Sequence, residues 1–139
     1  MTAAPPLTVD VFAMRWGDMD ALGHLNNTLY YRFCEEARVN WLARHGWGVA
    51  LSGGSGPILA ASSCQFRQPL VYPCAVRVET FVKQIGNRSF TLAHRLSRDD
   101  APEQTAAEAE AVIVWCNYTS GSAMPLPDTL RAQLSGAPA

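Results

Sequence analysis

A chain of 139 residues, 48% hydrophobic and 17% charged, is long enough to bury one self-sufficient core, and residues 1–139 read as a single domain. A net charge of -1 excludes the broad basic surface that nucleic acid or an anionic membrane requires, so any anionic ligand must be held by a few local cations. No stretch approaches the roughly 18 apolar residues of a membrane span, and the first eight residues lack the basic start and apolar core of a signal peptide, so the expected location is cytoplasmic.

Met1 to Thr8 reads as a loose leader. Val9 to Arg15 has strand character, with Val9, Val11 and Ala13 on one side. Trp16 to Asn27 is rich in Gly, Asp and Asn and reads as a structured loop. From Thr28 to about His45 the apolar period changes to three and four, through Tyr30, Phe33, Ala37 and Trp41, which predicts an amphipathic helix. Asn27 or Thr28 is placed to cap its start and Gly46 to end it. Cys34, Val39 and Leu42 lie off the main stripe, so the helix is expected to be wrapped by other structure. Glu35 and Glu36 are expected to be solvated or paired with Arg32, Arg38 or Arg44.

Gly53, Gly54, Gly56 and Pro57 mark a connection. Strands are then predicted over Pro57 to Phe66, Ala75 to Ile85, Ser89 to Ser97 and Thr105 to Tyr118, with turns at Gly86-Asn87 and Asp99 to Pro102. His94 alternates with Phe90 and Leu92 and reads as a satisfied core histidine. Residues 125–139 form a C-terminal tail, with Asp128 as N-cap of a short helix over Thr129 to Leu134. The four cysteines, Cys34, Cys64, Cys74 and Cys116, form no C-x-x-C pair and have no His at ligand spacing, so reduced thiols and no metal are expected. One strand, one long helix and four strands in a meander make an α+β domain, its sheet curled around the helix. A homodimer that continues the sheet would cover the edge such a small domain leaves open.

The stretch from Arg15 to Asn27 carries the chemistry. It places two carboxylates (Asp18 and Asp20), one imidazole (His24) and two carboxamides (Asn26 and Asn27) just before a helix N-terminus. The unpaired N–H groups there suit an oxyanion forming at a carbonyl, and a nearby carboxylate suits a nucleophile or a general base. The same residues also serve ordinary loops and caps, and physics alone leaves both readings open.

Gly17-Asp18-Met19-Asp20, then Gly23-His24, Asn26-Asn27 and Tyr30, followed by Glu35-Glu36-Ala37-Arg38, closely resemble the 4-hydroxybenzoyl-CoA-thioesterase-like branch of the hotdog superfamily. Phe66-Arg67-Gln68-Pro69 and Gly86-Asn87-Arg88-Ser89-Phe90 resemble later segments of the pattern more loosely. The resemblance implies a hotdog fold, a long central helix wrapped by a curved antiparallel sheet of about five strands. It implies an acyl-CoA thioesterase with no cofactor, assembled as a homodimer or homotetramer. Carried over residue by residue, Asp20 is the catalytic carboxylate and the amide of Asn27 polarises the thioester carbonyl. Gly23 would then allow a close backbone approach; by their own chemistry, His24 orients water, hydrogen-bonds Asp20, contacts the thioester or holds the loop, and Asp18 stabilises the loop or assists Asp20. Asn26, Tyr30, Arg88 and Ser89 join Gly23 as expected substrate contacts, and Arg67 is a weaker one. Two alternatives stand beside this reading: a non-catalytic acyl-CoA-binding hotdog protein and an acyl-carrier-protein thioesterase.

Overall fold

β-Branched and aromatic residues alternating with polar ones build most of the molecule, and they do so around a single long helix. The computed structural model describes residues 4–48 and 54–136; Met1 to Ala3, Gly53 and residues 137–139 of the expected leader, connection and tail lie outside the described residues. The elements are β1 (Thr8–Ala13), α1 (Asn27–Arg44), β2 (Ser55–Phe66), β3 (Ala75–Ile85), β4 (Ser89–Arg98), β5 (Ala101–Asn117) and α2 (Asp128–Leu134). All five strands form one antiparallel sheet in the order β1-β3-β4-β5-β2. This is the α+β hotdog arrangement that the motifs imply.

The order corrects one expectation. Only β3, β4 and β5 form a meander; β2 crosses to the far side of β5 and becomes an edge. Alternation within a strand reports which face is buried but not which strand lies beside it. The second turn is also tighter than expected. It occupies Asp99-Asp100 alone, and β5 already begins at Ala101.

The helix packs by its apolar stripe. Tyr30, Phe33, Cys34, Ala37, Arg38, Trp41 and Leu42 are buried against the sheet. Val39 is 41% exposed, so α1 is covered on one side rather than encircled. Val76, Val78, Leu96, Ala107 and Ala109 meet its N-terminal half, and Phe90, Leu92, Ala111, Ile113 and Trp115 meet Trp41 and Leu42. The helix ends as a Schellman motif. Trp47 N–H donates to Leu42 C=O at 2.8 Å and Gly46 N–H to Ala43 C=O at 3.2 Å, with Gly46 at φ +87°. Arg44 pairs with Asp10 rather than with a helix acid, and donates to Thr8 Oγ1 at 2.7 Å, which ties the helix end to β1. Leu126, Leu130 and Leu134 dock the C-terminal segment into the second half of the core; Pro127, not Asp128, is the N-cap of α2.

Candidate active site

The loop between β1 and α1 is held by its own polar groups. Trp16–Asp18 form one 3-10 turn, and Asp18 closes it. Its Oδ2 accepts Arg15 N–H at 2.9 Å, and its Oδ1 accepts Arg15 Nε and Nη2 at 3.2 and 3.0 Å. Asp18 is only 4% exposed. Burial pushes its pKa up, but the Arg15 hydrogen bonds and the Arg15 and Arg32 charges together outweigh this and hold it below the usual carboxylate range. Asp18 thus fixes the loop, as its sequence position suggests.

Because the folded-state pKa is the lower one, this stabilisation is present above the unfolded pKa and is lost as pH falls through the folded value. Asp18→Asn should cost about 1–2 kcal/mol at neutral pH. The difference from wild type should shrink below about pH 4. Denaturant unfolding at several pH values measures this; a pH-independent difference would contradict it.

Beyond Asp18 the chain makes a tight turn. Asp20 N–H donates to His24 C=O at 2.9 Å, and Gly23 N–H donates to Asp20 C=O at 3.0 Å. Asp20 Oδ1 accepts Leu22 N–H at 2.9 Å. Gly23 sits at φ +83°, a left-handed conformation that a side chain resists, and a Cβ there would meet nothing within 4 Å. The closing strand of the turn is pinned twice: Leu25 N–H bonds Leu70 C=O at 2.8 Å, and Asn26 N–H bonds Asp18 C=O at 2.9 Å. These bonds tie the loop down, and one Asp20 oxygen is left without a hydrogen-bond partner among the described residues.

The helix start leaves a complementary vacancy. The N-cap is Asn26, not Asn27 or Thr28. Its Oδ1 accepts Thr28 N–H at 3.0 Å and Thr28 Oγ1 at 2.9 Å, and its C=O accepts Leu29 N–H at 2.9 Å. The Asn26 side-chain oxygen is thus spent on the cap. Asn27 is the first helical residue, and its N–H has no partner among the described residues. That donor also lies at the positive end of the helix dipole.

Asp20, His24, Asn27, Tyr30, Phe66 and Gln68 line one cleft of ≈ 280 Å³. Tyr30 is buried, which pushes its hydroxyl pKa up, and its ring meets Phe66 edge-on at 5.0 Å to form the wall. Tyr31 points away from this cleft, into a second cavity. His24 is exposed on the rim; it holds Asp20 through its carbonyl, and its imidazole makes no hydrogen bond among the described residues. Arg67 and Gln68 follow β2 into the cleft, both N–H groups bonding Ala106 C=O. Gln68, Pro69 and Leu25 are cleft residues that the sequence does not place at the site, although Gln68 and Pro69 belong to a segment resembling the family pattern, because only the β2–β5 pairing brings the end of β2 beside the loop. Arg88 and Ser89 are not brought there within one chain. Ser89 pairs with Val114 and Phe66 with Ala107, so roughly 23 Å of β5 separates them.

Residues 14–134 match the family model of the thioesterase-like superfamily. The chain belongs to that superfamily. Thioesterase-superfamily relatives of known structure share the whole fold. A candidate thioesterase of Pseudomonas aeruginosa is 36% identical with a TM-score of 0.87, covering 91% of this chain and 97% of that one. A candidate acyl-CoA thioesterase of Xanthomonas campestris is 35% identical with a TM-score of 0.73, over 79% and 92% of the two chains. A gentisyl-coenzyme A thioesterase is 25% identical with a TM-score of 0.80, over 91% and 99%. The enzyme class expected from the motifs, thioester hydrolase, accords with this superfamily. No helix among the described residues is long and apolar enough to cross a membrane.

Proposed function

We propose that the protein hydrolyses an acyl-CoA thioester to the free acid and CoA at the cleft of Asp20 and Asn27. The observation that carries this reading is that Asp20 and Asn27 line one cleft and each keeps a group without a partner among the described residues, a carboxylate oxygen of Asp20 and the N–H of Asn27. A thioester carbonyl placed between them receives both things that acyl transfer needs, an oxyanion donor and a nucleophile or base.

Two routes fit the geometry, and both conserve atoms and charge. In one, the Asp20 oxygen attacks the carbonyl carbon, the C–S bond breaks, and CoA leaves as a thiolate that takes a proton from water. Water then hydrolyses the mixed anhydride and restores the carboxylate. In the other, Asp20 takes a proton from water as that water attacks, and the proton passes to the departing sulfur. Asn27 N–H holds the oxyanion in both. Single turnover in isotope-labelled water distinguishes them, because label enters the Asp20 peptide only on the first route. His24 stands on the cleft rim as an orienting group for water, and Gly23 leaves room beside the turn for substrate.

The carrier is read as CoA rather than an acyl carrier protein because a net charge of -1 offers no basic face to an acidic protein. Thiol release from short-, long- and aromatic-chain acyl-CoAs tests the reading. Saturable binding of these thioesters without thiol release would replace it with the binding-protein alternative.

The functional unit in this reading is at least a homodimer. β2 is an unpaired edge that exposes Ile58, Leu59 and Phe66. Antiparallel pairing of β2 with its copy sets the Ser55 end of one chain against the Phe66 end of the other. That brings the end of the second copy bearing Arg88 and Ser89 towards the Asp20 cleft, where their donors suit the phosphates and pantetheine of CoA. Sedimentation should give two or four times the 15.1 kDa chain mass, and a monomer at assay concentration would contradict this assembly.

A further inference from the structure

A second cavity, of ≈ 230 Å³, lies between α1 and the helix-facing side of β2, β4 and β5. Its mouth is exposed, at Tyr31, Glu35, Leu59 and Ser62, and its floor is buried. Two polar groups on that floor have no protein partner. Arg38 is 8% exposed yet makes no ion pair or hydrogen bond among the described residues. His94 is 2% exposed; its Nδ1 meets Thr80 Oγ1 at 2.9 Å, while its Nε2 is buried without a partner. The Glu35 charge favours the Arg38 guanidinium without forming an ion pair with it, whereas the buried His94 Nε2, left without a partner, costs the fold about 1–3 kcal/mol unless something satisfies it. The reading of His94 as a satisfied core histidine therefore holds for only one of its nitrogens.

One row of β2 side chains leads from this cavity to the cleft of Asp20. On the helix-facing side of β2, Leu59, Ser62, Cys64 and Phe66 stand opposite Ile113, Ala111, Ala109 and Ala107. Phe66 belongs to the Asp20 cleft and Ser62 to the second cavity. Between them the row contains only the small side chain of Cys64. The four residue steps from Ser62 to Phe66 span about 13 Å. At about 1.2 Å per bond of extended chain, that is the reach of roughly ten or eleven atoms.

We propose that this cavity is a receptor for a carboxylate at the far end of the acyl group, so that the preferred substrates are CoA monothioesters of medium-length dicarboxylic acids. The proposal rests on the function given above. Arg38 supplies the charge, and its planar fork fits a carboxylate. With the Thr80 hydroxyl donating to Nδ1, His94 carries its proton on Nε2 and donates it to the same ligand. Burial, and then the Arg38 charge, lower the His94 pKa to about 4, so the ring is a neutral donor at neutral pH. The Glu35 carboxylate of the same chain, at the cavity mouth, is the competing partner for Arg38. It does not fit the whole site, because His94 lies at the bottom of the cavity beneath the helix.

The test compares kcat/KM for suberoyl- and sebacoyl-CoA with octanoyl- and decanoyl-CoA. The dicarboxylic thioesters should be favoured by about 10-fold or more in the wild type, since a neutral chain end leaves Arg38 and His94 unpaired. Arg38→Met should abolish that preference while leaving the neutral thioesters near their wild-type rates. Free sebacate should also shift the His94 imidazole resonances in the wild type and leave them unmoved in Arg38→Met. No preference in the wild type, equal losses on both substrate series, or dimer dissociation in Arg38→Met without a change in preference would overturn the proposal. Absence of thiol release from every acyl-CoA would instead count against the catalytic reading, and sebacate binding would still report on this cavity.

Discussion

Asp20→Asn should lower kcat for thiol release by about 10²–10⁴-fold while leaving the fold and acyl-CoA affinity close to wild type. The substitution is nearly isosteric. The Asn side-chain oxygen still accepts Leu22 N–H, so the turn from Asp20 to Gly23 keeps its hydrogen bonds. What is lost is the negative charge of the carboxylate, whether it acts on the carbonyl carbon or on a water. Gel filtration and thermal unfolding check that the fold persists, and an equilibrium binding curve for a slowly turned-over acyl-CoA checks affinity. Unchanged kcat in a folded Asp20→Asn protein would sink the assignment of this carboxylate.

Asn27→Pro should be nearly as damaging, and for a reason confined to one hydrogen atom. Proline is favoured at the first position of a helix, where its fixed φ fits and no intrahelical bond is lost. The residue before it must be extended, and Asn26 already has φ -58° and ψ 132°. The cap bonds to Thr28 and Leu29 are untouched. The substitution therefore removes the Asn27 N–H and little else, and stability should move by less than about 1 kcal/mol. Removing one oxyanion donor typically costs about 10²–10³-fold in kcat. Asn27→Ala retains the amide and should keep kcat near wild type. Circular dichroism with paired kinetics on the two variants measures the difference. Equal losses in both would mean that the side chain, not the amide, serves the site.

Much of the fold and of the candidate site's loop is legible in the amino-acid sequence. The three- and four-residue recurrence of Tyr30, Phe33, Ala37 and Trp41 locates α1 to within a residue, because that spacing matches the period of a helix and not that of a strand. Alternation locates β3 and β4, and the Asp/Asn-rich stretch before the helix singles out the loop. What the pattern does not carry is anything set by long-range pairing. The place of β2 beside β5 is not encoded in the alternation of either strand, and neither is the position of Gln68 and Pro69 beside Asp20, which depends on it. Local competition hides the cap: three successive residues, Asn26, Asn27 and Thr28, all have capping chemistry, and only backbone geometry decides among them. Arg38 belongs to a helix motif and His94 to an apolar alternation, so each looks ordinary alone. Their shared cavity exists only where helix and sheet meet.

The central claim is that the carboxylate at the loop and the amide at the helix start act together on one carbonyl. It is tested most directly by kcat for thiol release in Asp20→Asn, Asn27→Pro and the double variant on a single acyl-CoA. Groups that act on one carbonyl are coupled, so the double variant should lose less than the product of the two single losses. Losses that multiply across the two substitutions would contradict the account.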